Sequence, residues 1–402
     1  MYLDTQDFSR FGDVLRGRSD AATEKCFVNL EAIRANGDAV FAASMPLIGE
    51  LLQYDASFRE TTMKKAEAVE RLCGAWALAY PSRLVGFEIA HAAFSRGLLP
   101  RRPDGSVISC DRYWYPNIRG TLDDVRGRFD REVREQISRS GADRATRRRV
   151  ASQMKKLDYA RAAREAAPDI EDQYGIPAQV VGDAIAKLLR KEISADQAAT
   201  TIFESVAEPT MFVQIYFEKL ENDRSLPHWI SGLGRDLEKS LLTFRDKLLP
   251  LMEAGVSLDL IRSLLNDTVK MGSHILRLAA DEGQEFGFEP SLVSRFEDDE
   301  ELALSIPACA TFGGLVKAYL EQILGFAGPP AKIERSVGGD LVHALYLPYV
   351  DLWRGDRRFS ELVRQALPQY REKVVHRVSD LPERIAEHNR RHCSIGSTLA
   401  EN

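Results

Sequence analysis

Two kinds of hydrophobic pattern alternate along this chain. At the start, Tyr2 and Leu3 form a short apolar run that ends at once in Asp4. From 20 to 36, Cys26, Phe27, Leu30 and Ile33 recur at helical spacing, and Asn36-Gly37-Asp38 closes that helix with turn residues. The run AVFAA at 39–43 reads as a buried strand. Ser44 then reads as an N-cap, with Pro46 in the first turn of a helix carrying Ile48, Leu51 and Leu52. Strand, helix, strand, helix is how a parallel sheet begins.

The middle of the chain is different. Helical periodicity recurs at 59–79, 122–138, 144–166, 178–190, 195–223, 233–253, 257–282 and 300–325, with a loop-like stretch at 100–118. No fixed repeat period runs through it. After 337 the pattern returns to short apolar runs. A helix at 337–347 follows a glycine turn, VDLW at 350–353 reads as a strand, and Asp356 opens a helix with Phe359, Leu362 and Val363 on one face. KVVHRV at 373–378 is a further strand candidate, and LPERIAEHNRR a last helix. The expected fold class is therefore α/β, a parallel sheet built from both chain ends with a large all-helical insertion. The expected core is 1–58 plus 300–390, the insertion 59–299, and the tail 391–402.

Composition narrows the class. With 402 residues, 44% hydrophobic and 28% charged, the chain has the balance of a soluble globular protein. It has no apolar run of about 18 residues, so no transmembrane span is expected. The N-terminus lacks the basic head and apolar core of a signal peptide. Five cysteines (26, 73, 110, 309 and 393) lie scattered without CxxC spacing, the usage of free thiols in a reducing cytoplasm. Phosphate-loop, esterase-elbow and HExxH zinc motifs are absent.

The chemistry-bearing feature is a set of acids at the edges of the short runs. Asp4 follows the first run, Glu50 lies in the helix after the second, Asp340 opens the 337–347 helix, and Asp356 opens the helix after VDLW. In a doubly wound sheet these positions share one edge. Four carboxylates in one cleft repel one another unless a cation neutralises them, and oxygen donors suit Mg²⁺ or Mn²⁺. Such a site activates water and positions a phosphodiester. Read singly, Asp340 and Asp356 fit helix capping. Asp7 and Asp13 read as first-turn or loop acids, and His343 as a core or sheet-packing histidine.

These pieces resemble the PIN domains, a family of metal-dependent nucleases. The matching stretches are MYLDTQDFSRF at the N-terminus, SMPLIGELL at 44–52 and GGDLVHALYLPYVDLWRGDRRFSEL at 338–362. The resemblance implies Asp4, Glu50, Asp340 and Asp356 as catalytic, metal-holding carboxylates, with Thr5 beside the first. Arg354 stands where many members carry a hydroxyl, and either clamps a phosphate there or is simply solvated. Within the insertion, Arg144, Arg148 and Lys155 fall on one helical face and can neutralise nucleic-acid phosphates. Tyr113, Trp114 and Tyr115 can stack bases or pin a loop. The expectation is a cytoplasmic, Mg²⁺- or Mn²⁺-dependent endonuclease. RNA stands ahead of DNA as its substrate, on the resemblance alone. The helical insertion offers a surface for a protein partner such as an antitoxin, and no membrane association is expected. The alternatives are a structure-specific or single-strand DNA nuclease, and an inactive PIN-like scaffold.

Overall fold

The computed structural model describes residues 1–52, 55–112, 114–115, 178–204, 207–220, 232–266, 272–326 and 336–399, with 122, 135, 149 and 161 singly. The chain divides into two compact units, Met1–Tyr115 with Pro227–Asn402, and Pro116–Leu226. The inserted unit is thus narrower than 59–299, because the helices on either side of it belong with the chain ends.

In the larger unit, α1 (Thr5–Leu15) begins directly behind Asp4. Its Phe11 stacks on Phe27 of α2 (Ala21–Ala35), with ring centroids 4.7 Å apart. Full burial of such a ring contributes roughly 1.5–3 kcal/mol. Asp20 caps α2 by accepting from the Thr23 backbone N–H. Ser44 caps α3 (Met45–Leu51) in the same way, accepting from Leu47 N at 3.3 Å, and Pro46 sits in its first turn. α4 (Arg59–Cys73) lies close against α1, where a Cβ on Gly12 would stand 3.0 Å from Lys65 N. The helices α5 (Pro81–Ser95), α6 (Gly232–Glu253), α7 (Pro307–Ile323) and α8 (Val337–Ala344) follow. α6 and α8 meet backbone to backbone, since a Cβ on Gly338 would lie 1.8 Å from the Gly234 carbonyl oxygen. Asp356 caps α9 (Arg357–Ala366), which buries Phe359, Leu362 and Val363, the face expected from the sequence. α10 (Leu381–Leu399) ends the described chain.

The expected PIN-like parallel sheet is not present among the described residues. The structure is mostly helical, 73% helix against 3% strand, which excludes an α/β class. Among the described residues the one regular sheet is antiparallel and two-stranded, β1 (Ala77–Leu78) with β2 (Ile108–Ser109). The four strand candidates are short, partly buried threads that make single bridges: Tyr2 with Trp353, Ala43 with Ala77, and Trp353 with Val374. The reason is local. Asp4, Ser44 and Asp356 each start a helix within three residues of a bridge, so no ladder can grow. The apolar runs are apolar because helices cover them, and burial alone does not make a strand.

The bridges still fix what the site needs. Tyr2 N donates to Leu352 O, and Arg354 N donates to Tyr2 O, both at 3.0 Å. The first residues of the chain are thereby held beside residues 352–354.

The smaller unit shows three described helices, Ala178–Leu189, Ala195–Glu204 and Pro209–Leu220. Ser194 and Gln197 form a reciprocal capping box: Gln197 N donates to Ser194 Oγ at 3.2 Å, and Ser194 N to Gln197 Oε1 at 2.9 Å.

A carboxylate and histidine cluster as candidate active site

Asp4 stands at the N-cap position of α1 without a full side-chain capping bond, though the Gln6 backbone N–H favours its ionised form. Thr5 follows, and its hydroxyl donates to Glu50 Oε2 at 2.7 Å. Glu50 comes from the last turn of α3 and keeps 37% of its side chain exposed, so the cluster opens to solvent on that side. Its Oε1 packs against Gly339, 2.5 Å from the place a Cβ there would occupy, so a larger residue would push the Glu50 carboxylate aside.

Behind Glu50 stands His343 of α8, buried, with Nε2 3.1 Å from Glu50 Oε2. Its Nδ1 meets the Tyr2 hydroxyl, which reaches Ser44 Oγ at 2.7 Å. Burial alone would lower the His343 pKa, but Glu50 foremost, then Asp4 and Asp340, raise it to about 9. At neutral pH the ring is therefore an imidazolium that donates from both nitrogens. Nδ1–H donates to Tyr2, whose pKa is held well above its ordinary value, chiefly by burial, so Tyr2 passes its own O–H on to Ser44. This chain ties the N-cap of α3 to the acid of its last turn. Burial works against ionised Glu50, but the His343 charge and the hydrogen bonds from His343 and Thr5 hold it below the usual carboxylate range.

Asp340 lies in the first turn of α8. Burial foremost, then Asp356, Glu50 and Asp4, push its carboxyl up to about 8 against the pull of His343. Asp4 is raised by burial and by Glu50, against His343 and Arg354. Asp356 uses Oδ1 for its cap, accepting from Arg358 N at 2.6 Å and Phe359 N at 2.9 Å. The four predicted acids therefore act on one another electrostatically, with Asp340 at the centre of the repulsion.

Of the five expected substrate contacts, two are engaged inside the protein and three lie outside the described residues. Arg354 is 4% exposed and stands 3.2 Å from the fully buried Asp7, as a counterion inside the protein rather than a clamp facing solvent. Burial raises the Asp7 carboxyl to about 7 in spite of Arg354. Thr5 is engaged with Glu50. Arg144, Arg148 and Lys155 lie outside the described residues, as does Tyr113. Trp114 and Tyr115 are buried and pack edge to face. His343 is buried, as its reading as a core histidine has it, and it also contacts Glu50, which the sequence did not reveal. Its spacing from Asp340, three positions on the same helix, is the one signal that could have marked it.

For a divalent cation the donor chemistry fits: four oxygen donors from three helix starts and one helix end, with an acid whose ionisation the others oppose. Among the described residues no three such side chains already converge on one cation position, so binding requires the carboxylates to draw together. No helix among the described residues is long and apolar enough to cross a membrane. Fold and cluster together define a mostly helical protein with a carboxylate and histidine site. No family model, no curated protein and no solved structure matches the chain.

Proposed function

We propose that this chain is a cytoplasmic, divalent-cation-dependent phosphodiesterase acting on nucleic acid, with RNA ahead of DNA. The observation that carries the reading is Asp340, held at about 8 by burial and by three acidic neighbours. Such loading is costly to a fold and is relieved by a bound cation. The resemblance to PIN domains adds support from the order and type of the four acids, though not from the fold. The RNA preference rests on that resemblance alone.

Asp4, Glu50, Asp340 and Asp356 are the residues that would hold Mg²⁺ or Mn²⁺. When bound, that cation supplies charge neutralisation and Lewis acidity at a phosphoryl oxygen. His343 and Thr5 fix the Glu50 carboxylate in place and keep it ionised. Asp340 gives up its proton when positive charge enters the cluster. Asp356 keeps Oδ1 on its helix, which leaves Oδ2 for the cluster.

The test uses the purified full chain with labelled single-stranded RNA and DNA, in Mg²⁺, Mn²⁺ or EDTA, beside Asp340→Asn. Cation-dependent cleavage that Asp340→Asn abolishes is expected. Cleavage that survives EDTA or the substitution overturns the reading. A second reading, a catalytically inactive interaction protein, is favoured by the lack of a ready-made cation position among the described residues. It predicts no cleavage and no Mn²⁺ binding by calorimetry.

A further inference from the structure

A second polar region lies away from the carboxylates. A half-open cleft of about 190 Å³ is formed at the end of α9 and the turn that follows, and its walls include Arg364, Arg371, His376 and Arg384. Two acids, Glu372 and Asp380, share its rim. The charges do not cancel locally. Arg384 is the paired cation, 3.6 Å from Glu387 and 4.0 Å from Glu372. Asp380 accepts from the Ser379 hydroxyl at 3.2 Å. The Arg364 guanidinium, which can only donate, meets His376 Nε2 rather than a carboxylate. Among the described residues neither Arg364 nor Arg371 has a carboxylate partner. Two guanidiniums without counterions in a concave site focus positive potential there.

We propose that this cleft binds a phosphate group. Guanidinium offers paired N–H donors that match the oxygens of a phosphate, and the cleft is too small for a bulky ligand. The source that the structure favours is a backbone phosphate of a single-stranded nucleic acid. α9 is a rigid rod that carries Asp356 at its N-cap and Arg364 near its other end, about 12 Å further along the axis. A strand held at Arg364 and Arg371 would reach toward the carboxylate cluster. The binding itself requires no chemistry at that cluster.

The experiment is therefore run in EDTA with the full chain. A fluorescein-labelled single-stranded oligonucleotide is titrated by anisotropy, and inorganic phosphate by phosphorus NMR line broadening. The variants are Arg371→Gln, Arg371→Glu and Arg364→Lys. Arg371 is exposed and unpaired among the described residues, so its variants should melt at the wild-type temperature. Arg371→Gln should weaken the oligonucleotide about three- to tenfold and lower the salt slope by about 1, with Arg371→Glu weaker still. Arg364→Lys should weaken binding by loss of the fork at constant charge. If inorganic phosphate alone shows this dependence, the cleft takes a small phosphorylated ligand and the polymer assignment falls. If neither probe binds, or binding ignores both arginines, the cleft is not a phosphate site. None of these outcomes depends on whether the protein cleaves nucleic acid.

Discussion

Two carboxyls in this protein, buried Glu88 and half-buried Asp340, are pushed up to about 8, and for different reasons. Glu88 of α5 is 4% exposed, and both its oxygens accept from Ala308 N, at 3.1 and 3.0 Å, where α7 begins. Tyr349 donates to it as well. Burial lifts its pKa to about 8, and these hydrogen bonds pull the other way. Asp340 also reaches about 8, but after burial its perturbers are three other acids. Glu88 is a satisfied structural acid that anchors a helix start. Asp340 is an acid whose neighbours oppose its charge. A raised pKa therefore does not mark a site by itself. The source of the shift separates the two.

The largest expected effect tests Asp340. Asp340→Asn should lower cation-dependent cleavage by at least about a hundredfold, the scale for removing a participating acid or base. Steady-state rates with the labelled substrates measure it. Glu88→Gln should leave cleavage within about twofold, because it keeps the size and acceptor of a group remote from the chemistry. Equal losses in the two variants would erase the distinction drawn between them.

Next in size is stability. Glu88→Ala leaves Ala308 N and the Tyr349 hydroxyl without their acceptor and opens a void, a cost of roughly 1–3 kcal/mol for the unsatisfied groups alone. Urea unfolding followed by circular dichroism reads it as a fall in midpoint at constant slope. Asp340→Asn should not show this loss. Near pH 8 it should melt above wild type, because the group it removes is strained when ionised.

The contrast also shows what the sequence could reveal. Local signals were legible. Ser44 and Asp356 cap the helices expected of them, the helix at 20–36 appears as Ala21–Ala35, and the apolar face of α9 is the buried one. The four acids read as a set because each stands at a helix start or within a helix close to an apolar thread, and the structure adds that the other three oppose the ionisation of Asp340. The sheet was misread because short apolar runs report burial and not hydrogen bonding, and here each run yields to a helix cap after one bridge. His343 was illegible for a different reason. Its partners Tyr2 and Glu50 are some 300 residues away in the chain, so nothing local separates it from a packing histidine. Arg354 likewise reads as a phosphate clamp or a solvated cation until Asp7 is seen buried beside it.

A third test uses pH. Glu88 and Asp340 bind protons more tightly folded than unfolded, so each contributes stability that is fully present below its ordinary pKa, near 4, and lost as pH rises toward about 8. Wild-type melting temperature should therefore fall across that window. Glu88→Gln and Asp340→Asn should each flatten part of the fall. Saturating Mg²⁺ should flatten the Asp340 part and leave the Glu88 part, since a cation in the cluster lets Asp340 ionise without cost. His343 has the same sign over a higher window, its stabilisation present below about 6.5 and lost as pH passes about 9. Scanning calorimetry from pH 5 to about 9.5, with and without Mg²⁺, separates the three. A fall that Mg²⁺ leaves untouched in every variant would place Asp340 in the same structural class as Glu88.

The smallest effect concerns how Glu50 is held. Thr5→Val keeps the shape of the side chain and removes the one hydroxyl that donates to Glu50 Oε2. His343 remains, so Glu50 stays ionised at neutral pH, but its pKa should rise toward the ordinary carboxylate range. A charge-assisted hydrogen bond of this kind is worth about 1.5–3 kcal/mol when fully desolvated. Glu50 is partly open to solvent, which places the effect on cleavage at the low end, about tenfold or less. Carbon-13 NMR of the Glu50 carboxyl reads the pKa, and the rate assay reads the consequence. A shift in pKa with no change in rate would make Thr5 an anchor of the α3 end alone. A rate loss without a pKa shift would mean that the hydroxyl acts on the substrate directly and not through Glu50.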